Sequence, residues 1–136
     1  RLLRGRTLNG CKLVRRGQGL FVLRELSAAL SASDLSLMVS QGGVWDGRFI
    51  VTLIKAPASK ASARSSPLIV KALGSQGVRG LVGSQATLPQ GPKASFPALP
   101  GLWAGQQLVA APHFGMTARG YVFEAKNRPS GRFTHV

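Results

Sequence analysis

The chain has 136 residues, which is the length of one ordinary domain or of two very small ones. Its 18 Lys and Arg residues outnumber its 4 Asp and Glu residues, so the formal net charge is +14, and a hydrophobic content of 44% excludes a chain that is disordered throughout. No apolar run reaches the roughly 18 residues of a membrane helix. A single cysteine excludes an intrachain disulfide, and the four acids are too scattered along the chain to favour a divalent-metal enzyme.

The N-terminal segment predicts a basic β-hairpin. Residues 7–8 and 12–14 indicate a strand that is interrupted by Asn9-Gly10, a turn or bulge signal. Residues 15–19 are typical of a turn, and residues 20–23 form a short apolar strand. The hairpin therefore carries its arginines at and beside its tip.

Further strands are expected in the rest of the first half. Residues 25–33 favour one weak helical turn or a loop, and residues 35–39 favour a strand that Gly42-Gly43 breaks. Asp46-Gly47 is a tight-turn signal, and residues 48–54 (RFIVTLI) are rich in β-branched and aromatic residues. We expect about four strands here, in one small antiparallel sheet.

The second half changes character after a segment of small and basic residues. A strand is predicted at 68–73 and a short helix at 75–82, with Ser75 as its N-cap. Four prolines then mark an irregular stretch in which residues 93–99 hold one helical turn. A closing hairpin is predicted from 102 to 111, and the tail contains one strand at 121–123.

These elements predict an α+β fold, in which a small antiparallel β-sheet lobe is followed by a second small α/β lobe with a closing β-hairpin. The predicted divisions are a basic β lobe at 1–54, an Ala/Ser/Pro/Lys linker at 55–67, a small α+β lobe at 68–115 and a basic tail at 116–136. The linker is interpreted as a solvated loop, with a basic RNA-contacting segment as the alternative.

The charge indicates a polyanionic partner, and nucleic acid is the commonest one, with an anionic membrane surface as the other. Arginine pairs bidentately with phosphate, and few acids are present to neutralise these cations. Aromatic residues are sparse near the hairpin, which favours recognition of the backbone and shape of a folded RNA. The candidate RNA-binding residues are Arg4, Arg6, Lys12, Arg15, Arg16, Arg24, Arg48, Lys71 and Arg79.

Signals for catalysis are weak. Residues 40–46 (SQGGVWD) resemble a glycine-rich phosphate loop, but a turn and a strand follow instead of a helix, so a loop between two strands is the better interpretation. His113 has no acid within ten residues and is expected to cap a strand end, and Cys11 is expected in the core. Trp45 and Trp103 are interpreted as core residues, with base stacking as the alternative. No catalytic or metal-binding residue is assigned.

Two groups of motifs resemble a known family. Residues 6–13 (RTLNGCKL) and 45–49 (WDGRF), followed by 70–74 (VKALG) and 99–115 (LPGLWAGQQLVAAPHFG), are similar to the C-terminal region of tRNA(Ile)-lysidine synthetases of the alphaproteobacterial type. The resemblance covers roughly residues 4 to 115. In that family a proline-led hairpin closes on a strand that ends in a similar Pro-His-hydrophobic-Gly sequence.

The resemblance implies a function. The family uses ATP to attach lysine to the wobble cytidine of an isoleucine tRNA, on an N-terminal catalytic domain with a Ser-Gly-Gly-x-Asp-Ser pyrophosphate loop. This sequence has no such motif and begins at Arg1, so we expect a fragment that positions tRNA and is inactive alone. ATP and Mg²⁺ would belong to the catalytic domain of the parent chain, and no cofactor is expected in this fragment.

The partners implied are RNA, specifically tRNA, and a catalytic domain in the same parent chain, with a cytoplasmic location and no membrane contact. The alternative function is that of a basic structural subunit of a ribosome or ribonucleoprotein, which would share the charge and the small β core.

Overall fold

A computed structural model describes residues 7–8, 11–16, 19–24, 26–58, 67–84 and 86–129, with side chains from residue 27 onward within those ranges. In the first half the elements are β1 (Thr7–Leu8), β2 (Cys11–Arg16), β3 (Gly19–Arg24), α1 (Leu26–Ser31), β4 (Leu35–Leu37), β5 (Gln41–Trp45) and β6 (Phe49–Lys55). In the second half they are β7 (Leu68–Ala72), α2 (Gly74–Val82), a 3₁₀ helix (Lys93–Ala98), β8 (Pro100–Ala104), β9 (Gln107–Ala111), a second 3₁₀ helix (Pro112–Phe114), β10 (Met116–Thr117) and β11 (Val122–Asn127).

The strands of the described ranges pair in three antiparallel sheets. One is the N-terminal hairpin sheet β1-β2-β3, the second has the order β10-β9-β8-β7-β4, and the third has the order β11-β6-β5. This confirms the α+β class, and β8 and β9 form the predicted closing hairpin. The helical turns predicted at 25–33 and 93–99 are present as α1 and as the first 3₁₀ helix.

The single sheet predicted for the first half is wrong. Strand β4 pairs with β7, where Ser36 lies opposite Ile69, and β6 pairs with β11, where Thr52 lies opposite Glu124. The predicted β lobe, α+β lobe and tail are thus joined by shared sheets, although the domain boundaries themselves stay a prediction. Sequence patterns assign neighbouring strands to one another, whereas these pairings connect residues that are far apart in the chain.

The main hydrophobic cluster draws on both halves. Its completely buried members include Val51, Leu53, Val70 and Leu102, and Phe123 of β11 also packs into it. A second, smaller cluster lies between α2, the 3₁₀ helices and β9, around Leu81, Phe96 and Phe114. Trp45 is only 1% exposed, which confirms its predicted core position.

Two local predictions fail for physical reasons. Gly42-Gly43 does not break a strand but lies inside β5. Glycine is needed at position 42 because a side chain there would place its Cβ 2.7 Å from the Val51 carbonyl oxygen of the paired strand. Ser75 does not cap α2, since the helix begins at Gly74 with Leu73 as an N-cap that makes no side-chain hydrogen bond.

Candidate nucleic-acid interface

The predicted basic hairpin is present, with two corrections. Arg15 and Arg16 lie inside β2 and not in the predicted turn, and residues 7–8 form a separate strand that pairs antiparallel with β2. Strands β2 and β3 pair antiparallel, with Arg15 opposite Leu20 and Arg16 opposite Gly19 at the closed end. Lys12 lies opposite Leu23 and Arg24 opposite Cys11 at the open end. The backbone therefore places four predicted cations on one paired hairpin, two of them beside its connection. Arg4 and Arg6 lie outside the described residues.

Arg48 is engaged inside the protein. Its Nε donates to Asp46 Oδ2 at 2.8 Å, and its Nη2 donates to the Ala98 carbonyl oxygen at 2.6 Å. The guanidinium also lies 4.8 Å from the centre of the Phe49 ring and 5.8 Å from that of Trp45. These contacts tie the turn after β5 to the first 3₁₀ helix. We therefore do not include Arg48 in the RNA-binding set that we propose below.

His113 lies in the same region. Its ring meets Phe49 edge-on, with centroids 5.2 Å apart. Burial, and secondarily the positive charge of Arg48, lower the pKa of His113 below its ordinary value. Its Nδ1 is buried and has no hydrogen-bond partner within the part of the chain that the structure describes. The residue lies in the 3₁₀ helix that follows β9, and a neutral imidazole suits this packed site.

Lys71 and Trp103 are brought together by the sheet. Lys71 on β7 lies opposite Gly101 on β8, and Trp103 lies two residues further along β8, opposite Ile69. The Lys71 Nζ lies 4.9 Å from the centre of the Trp103 ring, and both residues are half-buried. This cation–π pair was missed from the sequence. Residues 71 and 103 are 32 positions apart, so only knowledge that β7 pairs with β8 would have revealed it.

Arg79 is exposed in the last turn of α2, where its positive charge interacts favourably with the negative end of the helix dipole. The structure does not bring it into contact with Lys71 or with Arg48. The RNA-binding role of Arg79, like that of the hairpin residues, stays a prediction.

The described ranges show neither a cluster of metal ligands nor a glycine-rich phosphate loop. They contain no group of three or more His, Cys, Asp or Glu side chains that could hold a metal ion. Residues 41–45 form a strand with turns on either side, so they do not lead into a helix as a phosphate loop does. None of the described helices is both long enough and apolar enough to cross a membrane.

Comparison with known proteins gives one informative relative. The chain is 31% identical over 124 residues to a tRNA(Ile)-lysidine synthase of Ruegeria pomeroyi, an alignment that covers 91% of this chain and 26% of the relative. The predicted family resemblance is confirmed. The chain thus spans about a quarter of the length of the lysidine synthase that it matches. The motif at 45–49 covers the turn between β5 and β6, and the motif at 99–115 covers β8, β9 and the second 3₁₀ helix.

No family model matches the chain. No solved structure matches it either.

Proposed function

We propose that this chain is a tRNA-binding portion of a protein of the lysidine synthase type and that it positions tRNA rather than catalysing the modification. The observation that carries the proposal is the alignment with a lysidine synthase along 91% of the chain. The formal charge of +14 supports it, because phosphate groups supply most of the affinity of RNA for basic proteins.

The binding device would be the β2–β3 hairpin. A paired hairpin holds Arg15 and Arg16 at a fixed place, so binding of phosphate requires little further loss of backbone freedom. Guanidinium groups bind phosphate oxygens bidentately, which suits recognition of an RNA backbone. The neighbouring Lys12 and Arg24 would extend the contact along the same strands.

The described acids give no support for a Mg²⁺ site in this chain. Mg²⁺ is bound through carboxylates and phosphates, but Asp46 is already paired with Arg48, Asp34 lies exposed before β4, and Glu124 lies exposed on β11. We therefore assign no step that involves nucleotide. Activation of the base and transfer of lysine would belong to a separate catalytic domain. RNA binding by this chain would need no cofactor. The site of action would be the cytoplasm.

The experiment compares two double variants of the 136-residue chain. Arg15→Ala/Arg16→Ala should weaken binding to an isoleucine tRNA transcript by ~1–3 kcal/mol, or about 5- to 150-fold, which is the range of charge-assisted hydrogen bonds. Arg119→Ala/Lys126→Ala removes the same charge from exposed positions and should cost less than half as much. Filter binding at one salt concentration measures both, and thermal unfolding verifies that each variant is folded.

Equal losses in the two variants would show that net charge alone governs binding, and the hairpin assignment would be wrong. Equal affinity of the wild-type chain for the tRNA and for ribosomal RNA fragments would instead support the alternative function, that of a ribonucleoprotein subunit.

A further inference from the structure

Trp103 stands between two cavities. One, of about 570 Å³, is lined on one side by Lys71, Leu73 and Gly74, and the other, of about 370 Å³, by Leu81 and Leu108. Trp103, Gln76 and Gln106 line both. The two cavities therefore follow one groove between α2 and the β8–β9 hairpin, which we call the Trp103 groove, and both volumes fall within the roughly 300–1,000 Å³ of small-ligand sites.

Two glycines of α2 face the groove in different ways. Gly77 is buried, and a Cβ there would lie 3.6 Å from Cζ2 of Trp103 and 3.3 Å from Cβ of Leu73, so glycine lets the helix backbone lie close to the indole. Gly80, one turn further along α2, also lines the second cavity and has no atom within 4 Å of its position for a Cβ. Gly77 thus sets the close approach of α2 to the indole, and Gly80 leaves the second cavity open beside it.

The lining chemistry selects the ligand. Among the residues that the structure describes, neither cavity is lined by Asp or Glu, and Lys71 places an ammonium group over the indole at the wall of the larger one. The amides of Gln76 and Gln106 each provide donors and an acceptor, which can match the hydrogen-bonding edge of a base. An aromatic ring, a cation and amides together are the groups that bind a base and its phosphate in single-stranded RNA.

We propose that the Trp103 groove binds an unpaired nucleotide of the RNA, with the base against Trp103 and its phosphate paired with Lys71. This inference rests on the proposed function, since the nucleotide belongs to the same RNA that the hairpin holds. It adds a second kind of recognition, because the hairpin arginines would bind a paired backbone whereas the groove admits only a base that is out of a duplex.

The test uses a blunt RNA hairpin and the same hairpin with an unpaired extension at one end. The wild-type chain should bind the extended RNA about 5- to 100-fold more tightly, as expected for one stacked base. Binding of the extended RNA should also quench tryptophan fluorescence, because Trp103 is half-exposed while Trp45 is 1% exposed and out of reach.

Three variants examine the site, and a fourth is the control. Trp103→Leu and Lys71→Met should each reduce the preference for the extended RNA, whereas Lys93→Met, which removes one exposed charge outside the groove, should leave the preference unchanged. Gln76→Ala/Gln106→Ala should also reduce the preference, and it changes only exposed side chains, so it remains informative if Trp103→Leu does not fold.

Equal affinity of the wild-type chain for the two RNAs, without quenching, would overturn the groove assignment while the hairpin function stands. Failure to bind either RNA would overturn both proposals. A preference for the extended RNA that survives in Trp103→Leu and in the glutamine variant would place the unpaired nucleotide elsewhere on the chain.

Discussion

Arg48 shows that charge alone does not reveal the internal contacts of a residue. In the sequence it is one cation among 18, directly after a turn, and nothing distinguishes it from an exposed arginine that binds phosphate. In the structure it binds a carboxylate, a carbonyl and two aromatic faces. The Asp46 side chain is only 2% exposed, so this carboxylate depends on its internal partners in place of water.

Removal of the Arg48 side chain should therefore destabilise the fold. We expect Arg48→Ala to lower the free energy of unfolding by about 2–3 kcal/mol, because Asp46 and the Ala98 carbonyl each lose a charged donor. Arg48→Lys should have an intermediate effect, since lysine keeps the charge but not the fork. Urea unfolding measures both, and Arg119→Ala, at an exposed position, should stay within about 0.5 kcal/mol of wild type. Similar stabilities for the alanine variants would contradict the assignment.

His113 couples the stability of the same region to pH. Burial and Arg48 lower its pKa in the folded chain, so the unfolded chain takes up a proton more readily. The stability that a neutral His113 contributes is therefore complete above the ordinary pKa of 6.5 and declines as the pH falls below it. Between about pH 7.5 and about pH 5.5, where carboxylates stay ionised, wild type should lose stability on acidification.

The slope should be reduced in His113→Gln, measured by urea unfolding at several pH values in that range. His135→Gln keeps His113 and should retain the part of the slope that His113 supplies. An undiminished slope in His113→Gln would assign the pH dependence to another group.

At the scale of elements, glycines have opposite roles in β5 and α2. Gly42 on β5 faces the Val51 carbonyl oxygen, where a Cβ would come within 2.7 Å, and backbone atoms of a paired strand cannot move aside easily. Gly80 in α2 is exposed and has open space around it. At position 80, unlike at the buried Gly77 of the same helix, glycine has its entropic cost and no packing advantage.

Alanine should consequently have opposite effects at the two exposed glycines. Gly80→Ala should stabilise the chain by about 0.5–1 kcal/mol, because alanine favours a helix interior. Gly42→Ala should destabilise it by about 1–3 kcal/mol, as expected for an overpacked position. Thermal or urea unfolding of the two variants checks both signs, and a stabilised Gly42→Ala would mean that β5 can shift at the edge of its sheet.

At the scale of the whole molecule, most elements and the two hairpins β2–β3 and β8–β9 were predictable, but the long-range strand pairings were not. Local signals such as Asp46-Gly47 and the β-branched run of β6 are sufficient to predict turns and strands, because they depend on nearby residues. The pairing of β6 with β11 and of β4 with β7 depends on which hydrophobic faces bury best together, and no short pattern contains that information. The Trp103 groove depends on such pairing, so the sequence alone does not predict that its residues lie together.

The charge of the whole chain leads to the last prediction, the salt dependence of RNA binding. With about four to six phosphate contacts, a plot of log affinity against log salt should have a slope near −3 to −5, since each contact releases close to one counterion. Arg15→Ala/Arg16→Ala should make this slope shallower by about 1.5–2, because two contacts are lost. Arg119→Ala/Lys126→Ala also lowers the net charge by two from +14 but should keep nearly the wild-type slope, since long-range charge that makes no phosphate contact releases few ions. Fluorescence anisotropy with labelled tRNA at four or more salt concentrations measures all three slopes. A flat wild-type slope would mean that the basic charge is not what binds RNA, and an equal change in both variants would distribute the contacts over the whole surface instead of the hairpin.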